Sequence, residues 1–311
     1  MILPRWLLFL LAAGLGLGPG CRFSSPDESA DYPVGTLPYN LNQPDQKYFL
    51  NDDLEEISGL SYYQPHQLAC VQDEEGKLFV YDTELKRIVQ RVLFGKNGDY
   101  EDVAVVDGDV YALRSDGALF RFRPDGQRKA KATELNTPLS VRNDVEGLAY
   151  DPSAHRLLLL CKGDAGIGQE KVAGKAVYAY DLASGVFDNS PVRVILPDCP
   201  GLLPEKQSKD KGKNQRSAAQ RGAAQRKGDR KVDFQPSGLA IHPRSGQLYV
   251  IASDGKLLVV LDRDGKVTEC VRLNPRLFKQ PEGICFAPNG DLFIASEGRD
   301  SGGYILGFSA R

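Results

Sequence analysis

Short apolar runs alternating with polar positions, and broken by turn dipeptides, fill most of this chain. The pattern is clearest after Pro236, where runs at Gly238 to His242, Gln247 to Ser253, Lys256 to Asp262 and Lys266 to Leu273 are separated by Pro243 to Gly246, Asp254-Gly255 and Asp264-Gly265. The runs are rich in β-branched and aromatic residues, which suit a pleated surface, and Asp-Gly supplies the positive φ angles that tight hairpins require. Consecutive antiparallel strands are predicted, an inner one followed by three more. An earlier stretch repeats the scheme, with Asp107-Gly108, Asp116-Gly117 and Asp125-Gly126 at its turns.

The inner strands carry a recurring motif: Ile57-Ser58-Gly59-Leu60-Ser61-Tyr62, Tyr100-Glu101-Asp102-Val103-Ala104-Val105, Val145-Glu146-Gly147-Leu148-Ala149-Tyr150, Pro236-Ser237-Gly238-Leu239-Ala240-Ile241 and Pro281-Glu282-Gly283-Ile284-Cys285-Phe286. Their second residues stand at 58, 101, 146, 237 and 282, a period in the forties with one step twice as long. A strand-built unit of that length is a propeller blade, because one small sheet cannot bury both faces alone and must stack on its neighbours. The last unit has strands at Glu282 to Ala287, Asp291 to Ser296 and near Tyr304 to Ser309, and lacks an outer one. Gln46-Lys47-Tyr48-Phe49-Leu50 sits where every other unit places its fourth strand. The expectation is an all-β, five-bladed β-propeller over 46–311, closed by this N-terminal strand so that no sheet edge is left open. Six blades are the alternative, with the extra one hidden in the long step.

Composition agrees with a single turn-rich β domain: 311 residues, 41% apolar, 32 Gly. Residues 1–20 hold Arg5, the apolar run Trp6 to Leu17 and Gly18-Pro19-Gly20, then Cys21. The run is short for a bilayer span, and its flanks are those of a signal peptide. Small residues before a cysteine resemble a bacterial lipobox, which would make Cys21 the lipidated first residue of a membrane-anchored lipoprotein of the plasma or outer membrane; simple secretion and an uncleaved anchor are the alternatives. Residues 21–45, rich in Ser, Pro and Asp, are expected to be a flexible tether. Of the six cysteines, Cys70, Cys161 and Cys285 fall within predicted strands and are expected as buried free thiols.

Charge is unevenly spread. Glu205 to Lys231 holds ten Lys or Arg and three acids, a net of plus 7 in a chain whose total is minus 2. Such a tract cannot form a core, so a disordered basic insert is expected at 204–231. It could meet anionic lipid or polysaccharide; nucleic acid is not an expected partner for an exported protein, and a monomer is expected.

First strands line a propeller's axis, so Glu101, Glu146 and Glu282 should converge with Ser58 and Ser237. Glu56, two residues before Ser58, could supply the acid that Ser58 lacks. The ends of the adjacent strands add Asp73-Glu74, Ser115-Asp116, Lys162, Ser253-Asp254 and Ser296-Glu297 at the same channel mouth. Carboxylates so close need protonation, a cation such as Lys162, or a metal ion. All-oxygen donors suit calcium, which accepts six to eight oxygens in loose geometry, so Glu56, Ser58, Asp73, Glu74, Glu101, Glu146, Ser237, Glu282 and Glu297 are the candidate metal ligands. The same acids could instead serve as polar glue between blades. No Ser/His/Asp triad can be assembled from His66, His155 and His242.

Several of these motifs together, Glu56-Ile57-Ser58-Gly59-Leu60, Asp73-Glu74-Glu75-Gly76, Val145 to Asp151, Cys161-Lys162, Pro236 to Pro243 and Gln280 to Ile284, resemble the SdiA-regulated family of bacterial envelope proteins, the YjiK-like group. The resemblance implies a five-bladed propeller distantly related to NHL-repeat propellers, a calcium site and an envelope location, without an established activity. The chain departs from the family pattern at Glu101-Asp102, where Glu-Gly is usual, and in the basic insert. Two functions follow: a non-enzymatic, calcium-binding binding or scaffolding module of the envelope with an unknown ligand, or a metal-dependent hydrolase of lactones or esters like gluconolactonase-type propellers.

Overall fold

The computed structural model describes residues 36–195, 234–298 and 302–311. These form five four-stranded antiparallel sheets arranged as a five-bladed β-propeller. Blade one is β2 (Ile57–Gln64), β3 (Gln67–Gln72), β4 (Lys77–Asp82) and β5 (Arg87–Leu93); blade two is β6 (Tyr100–Val106), β7 (Asp109–Arg114), β8 (Leu119–Phe122) and β9 (Thr133–Leu135). Blade three is β10 (Val145–Asp151), β11 (Arg156–Cys161), β12 (Lys175–Asp181) and β13 (Val186–Ile195); blade four is β14 (Gln235–Ile241), β15 (Leu248–Asp254), β16 (Leu257–Leu261) and β17 (Val267–Arg272). Blade five joins β18 (Gln280–Phe286), β19 (Leu292–Glu297) and β20 (Tyr304–Phe308) to the N-terminal β1 (Gln46–Phe49). The long step between motifs therefore contains one ordinary blade plus 196–233, and the six-bladed alternative is set aside.

The turns form as their residues dictate. Asp107 and Gly108 take φ of 51° and 83°, the paired left-handed conformation of a two-residue hairpin. Closure is by backbone pairing, with Gln46 opposite Gly307 and Phe49 opposite Tyr304. Middle strands are apolar on both faces because each face meets a different blade. Leu68 and Cys70 of β3 pack into the core shared with blade five, while Ala69 and Val71 pack into the core shared with blade two.

One expectation needs correction. The tether predicted over 21–45 does not extend to residue 45, because Tyr39 and Leu41 are buried in the core between blades four and five. Tyr39 donates its hydroxyl to Gly290 O at 2.7 Å, and Pro38 O accepts the Arg311 amide at 3.0 Å. Cys70, Cys161 and Cys285 are free and buried as expected, but Cys270 is disulfide-bonded. The signal peptide of 1–20, Cys21 and the insert of 204–231 lie outside the described residues. Among the described residues no helix is long and apolar enough to cross a membrane.

Candidate functional site

Each inner strand breaks its pairing with the next strand, leaving out one residue in blades one to four and two, Glu282 and Gly283, in blade five. The breaks fall between Ile57 and Gly59, Tyr100 and Asp102, Val145 and Gly147, Pro236 and Gly238, and Pro281 and Ile284. Ser58, Glu101, Glu146, Ser237 and Glu282 are therefore bulge residues, left out of the ladder so that their side chains can be aimed independently of the pleat. The glycine that follows lets a neighbouring inner strand come close: a Cβ on Gly59 would lie 2.4 Å from Asp102 Cα, and one on Gly238 2.5 Å from Glu282 O.

The serines and the glutamates use this position differently. Ser58 Oγ donates to Tyr100 O and Ser237 Oγ to Pro281 O, each at 2.7 Å, and so each clasps the following blade. Glu101, Glu146 and Glu282 come near enough to perturb one another. Burial, then Glu146, Asp99 and Glu282, push the Glu101 carboxyl up to about 10. Burial raises Glu282 to about 8, helped by Glu146 and Glu297 and opposed by the hydrogen bond from Ser253 Oγ at 3.0 Å. Glu146 reaches about 7 through burial, although Lys162 Nζ lies 2.5 Å from its Oε1 and pulls the other way. All three are driven mainly by desolvation, which disfavours the charged carboxylate.

The remaining predicted residues fall into other groups. Glu297 accepts from Gln280 Nε2 at 2.7 Å. Glu56 does not extend β2, which begins at Ile57, and is exposed; Glu74 is exposed as well. Both act on Asp73, whose carboxyl is raised to about 6 by burial and by Glu56, Glu74 and Asp99, and whose Oδ1 is buried with no hydrogen-bond partner. Asp99 thus stands between this rim group and Glu101, to which it is hydrogen-bonded. Sequence reading passed over Asp99, Asp144, Gln235 and Gln280. The signal was present: Glu56, Asp99, Asp144, Gln235 and Gln280 all stand two residues before the bulge residue, so the repeat carries a second polar position.

The inner strands also line a cavity away from this mouth. A cavity of about 270 Å³ is lined there by Leu60, Val103, Leu148, Leu239 and Ile284 together with polar neighbours such as Ser61 and Tyr150.

Calcium requires several hard oxygens on one point. Among the described residues no three His, Cys, Asp or Glu side chains are grouped so as to hold a metal ion. Ser58 and Ser237 direct their hydroxyls to main-chain carbonyls, and Glu146 is engaged by an ammonium. The orphaned Asp73 Oδ1 belongs to the rim group and not to the Glu101, Glu146 and Glu282 trio. As placed, the donor set does not fit calcium.

The SdiA-regulated family model matches residues 202–299. The match takes in β14 to β19, with Ser237 and Glu282, and agrees with the resemblance read from the motifs. No curated protein matches the sequence. Among solved structures, a glutaminyl cyclase of Myxococcus xanthus is similar over 86% of this chain and 95% of its own, with 14% identity and a TM-score of 0.54. A gluconolactonase of Xanthomonas campestris covers 81% of this chain and 72% of its own, at 13% identity and a TM-score of 0.46. A PQQ-bound aldose sugar dehydrogenase of Streptomyces coelicolor covers 86% and 97%, at 13% identity and a TM-score of 0.49. At such identities the likeness is one of fold.

Proposed function

We propose that this protein is a non-catalytic binding or scaffolding module of the cell envelope, held at a membrane by a lipid on Cys21. The observation that carries the non-catalytic part is the use of the axial side chains. Ser58, Ser237, Glu146 and Glu282 are spent on bonds to Tyr100 O, Pro281 O, Lys162 and Ser253, three of which join one blade to the next. Groups that hold the ring together are poor candidates for groups that must change partners during turnover. The disulfide at Cys270 supports an oxidising compartment outside the cytosol.

Hydrolysis of an ester or lactone has one observation in its favour. The Glu146 carboxyl, raised to about 7, titrates where a general acid or base works best. A panel of lactones, esters and phosphoesters offered to the wild type and to Glu146→Gln and Glu282→Gln separates the two functions. The binding module shows no turnover that depends on either side chain, whereas loss of turnover in Glu146→Gln would establish the hydrolase. Anchoring is tested separately: Cys21→Ala should move the protein from the membrane fraction to the soluble fraction, and unchanged partitioning would remove the lipid from the account.

A further inference from the structure

We infer that Lys162 occupies the place in the acidic mouth where calcium was expected, so that this chain neutralises the Glu146 carboxylate with its own ammonium and has no need of the ion.

The strand register defines the position. Opposite the first residue of each motif stand Gln72, Arg114, Cys161, Ala252 and Ser296, and the next residue in each case opens onto the mouth. Those next residues are Asp73, Ser115, Lys162, Ser253 and Glu297. Four are acids or hydroxyls and one is a cation. Lys162 reaches Glu146 Oε1 at 2.5 Å, and it feels the charges of Asp144 and Glu282 as well. Glu282 comes from blade five, so the ammonium lies within the field of acids on two blades that are not neighbours.

The backbone that delivers this ammonium is fixed on both sides. The Lys162 amide donates to Asp144 O at 2.8 Å, tying the end of β11 to the start of the inner strand. Lys162 O accepts from Lys175 Nζ, which also donates to Gln235 Oε1 at 2.8 Å and thereby spans to blade four. Asp144 and Gln235 both stand two residues before a bulge residue, so Lys162 is held directly by the backbone of one such position and, through Lys175, by the side chain of another. A compact ammonium with three donors suits several carboxylate oxygens converging from different strands, as a small cation would. Unlike an ion, it cannot be lost by dilution or removed by a chelator.

Calcium titration of the full chain, followed by calorimetry and thermal melting, tests this with Lys162→Met, Lys162→Arg and the double variant Lys162→Met/Glu146→Gln. The wild type should show no heat of calcium binding and an unchanged Tm in millimolar calcium or in chelator. Lys162→Met should melt lower by roughly 5 °C, the scale of one buried interaction in a chain of this size, and calcium should restore much of the loss. Lys162→Arg should retain most of the wild-type Tm. The double variant, which deletes both charges, should melt near the wild type without calcium. Stoichiometric calcium binding that raises the wild-type Tm would overturn the inference, as would a Lys162→Met protein that melts like the wild type. If Lys162→Met does not fold, recovery in the double variant supports the role in charge balance, and failure of the double variant refutes it.

Discussion

Glu101 has the most displaced carboxyl in the mouth, and the displacement has a definite sign. Its proton is held up to about pH 10 in the folded protein, that of Glu282 to about 8 and that of Glu146 to about 7, against an ordinary 4.5. Between 4.5 and those values the folded state keeps protons that the unfolded chain releases. Stability contributed by these groups is therefore fully present below pH 4.5 and declines as pH rises. Melting curves from pH 5 to pH 8.5 should show Glu101→Gln gaining on the wild type steadily with pH, because the amide has no proton to lose. Parallel curves would mean that Glu101 titrates normally. The three glutamates were legible in the sequence because they occupy one repeat position. Asp99, the hydrogen-bonded partner of Glu101, was not, because the polar residue at its position changes from Glu to Asp to Gln around the ring.

At the scale of the strand, the motif's glycine sets how closely blades can meet. The two glycines best suited to a comparison face different obstacles. A Cβ on Gly238 would meet a backbone atom, Glu282 O at 2.5 Å, whereas on Gly147 the nearest atom is Leu239 Cδ2 at 2.5 Å, the end of a side chain that can rotate. Gly238→Ala should cost about 1–3 kcal/mol, within the range for overpacking, and Gly147→Ala less. Urea midpoints with unchanged slope would show it, and equal losses would contradict the distinction. Blade two places Asp102 where the others have glycine. Its Oδ1 accepts from the Val103 amide at 2.8 Å and its Oδ2 from the Leu148 amide of blade three at 2.7 Å, so the departure noted at Glu101-Asp102 becomes a stitch between blades. Alternation and Asp-Gly pairs revealed the strands themselves. The bulges were hidden, since a skipped residue is set by pairing with a partner strand and leaves the period of its own strand almost intact.

For the whole molecule, stability comes from five apolar cores, each shared by two adjacent blades. No blade owns its core, so loss of one strand is felt around the ring. A protein beginning at Asn51 would leave β20 paired with β19 alone and expose its outer edge, ready to pair with another chain. Size-exclusion chromatography should show it as a larger species than the full chain, and a monodisperse truncated protein that elutes like the full chain with wild-type Tm would argue against closure by β1. Closure was legible because the last repeat is one strand short. The packing of Tyr39 and Leu41 was not, since two apolar residues in a polar stretch show no period and their burial depends on blades four and five being already side by side.

The fifth blade also has a consequence in time. In a chain synthesised from its N-terminus, blades one to four can each be completed from contiguous sequence as they emerge. Phe49 must wait for Tyr304. Throughout that delay β1 is an unpaired strand travelling ahead of its own partner, and its safekeeping falls to whatever attends the chain until the last blade is made.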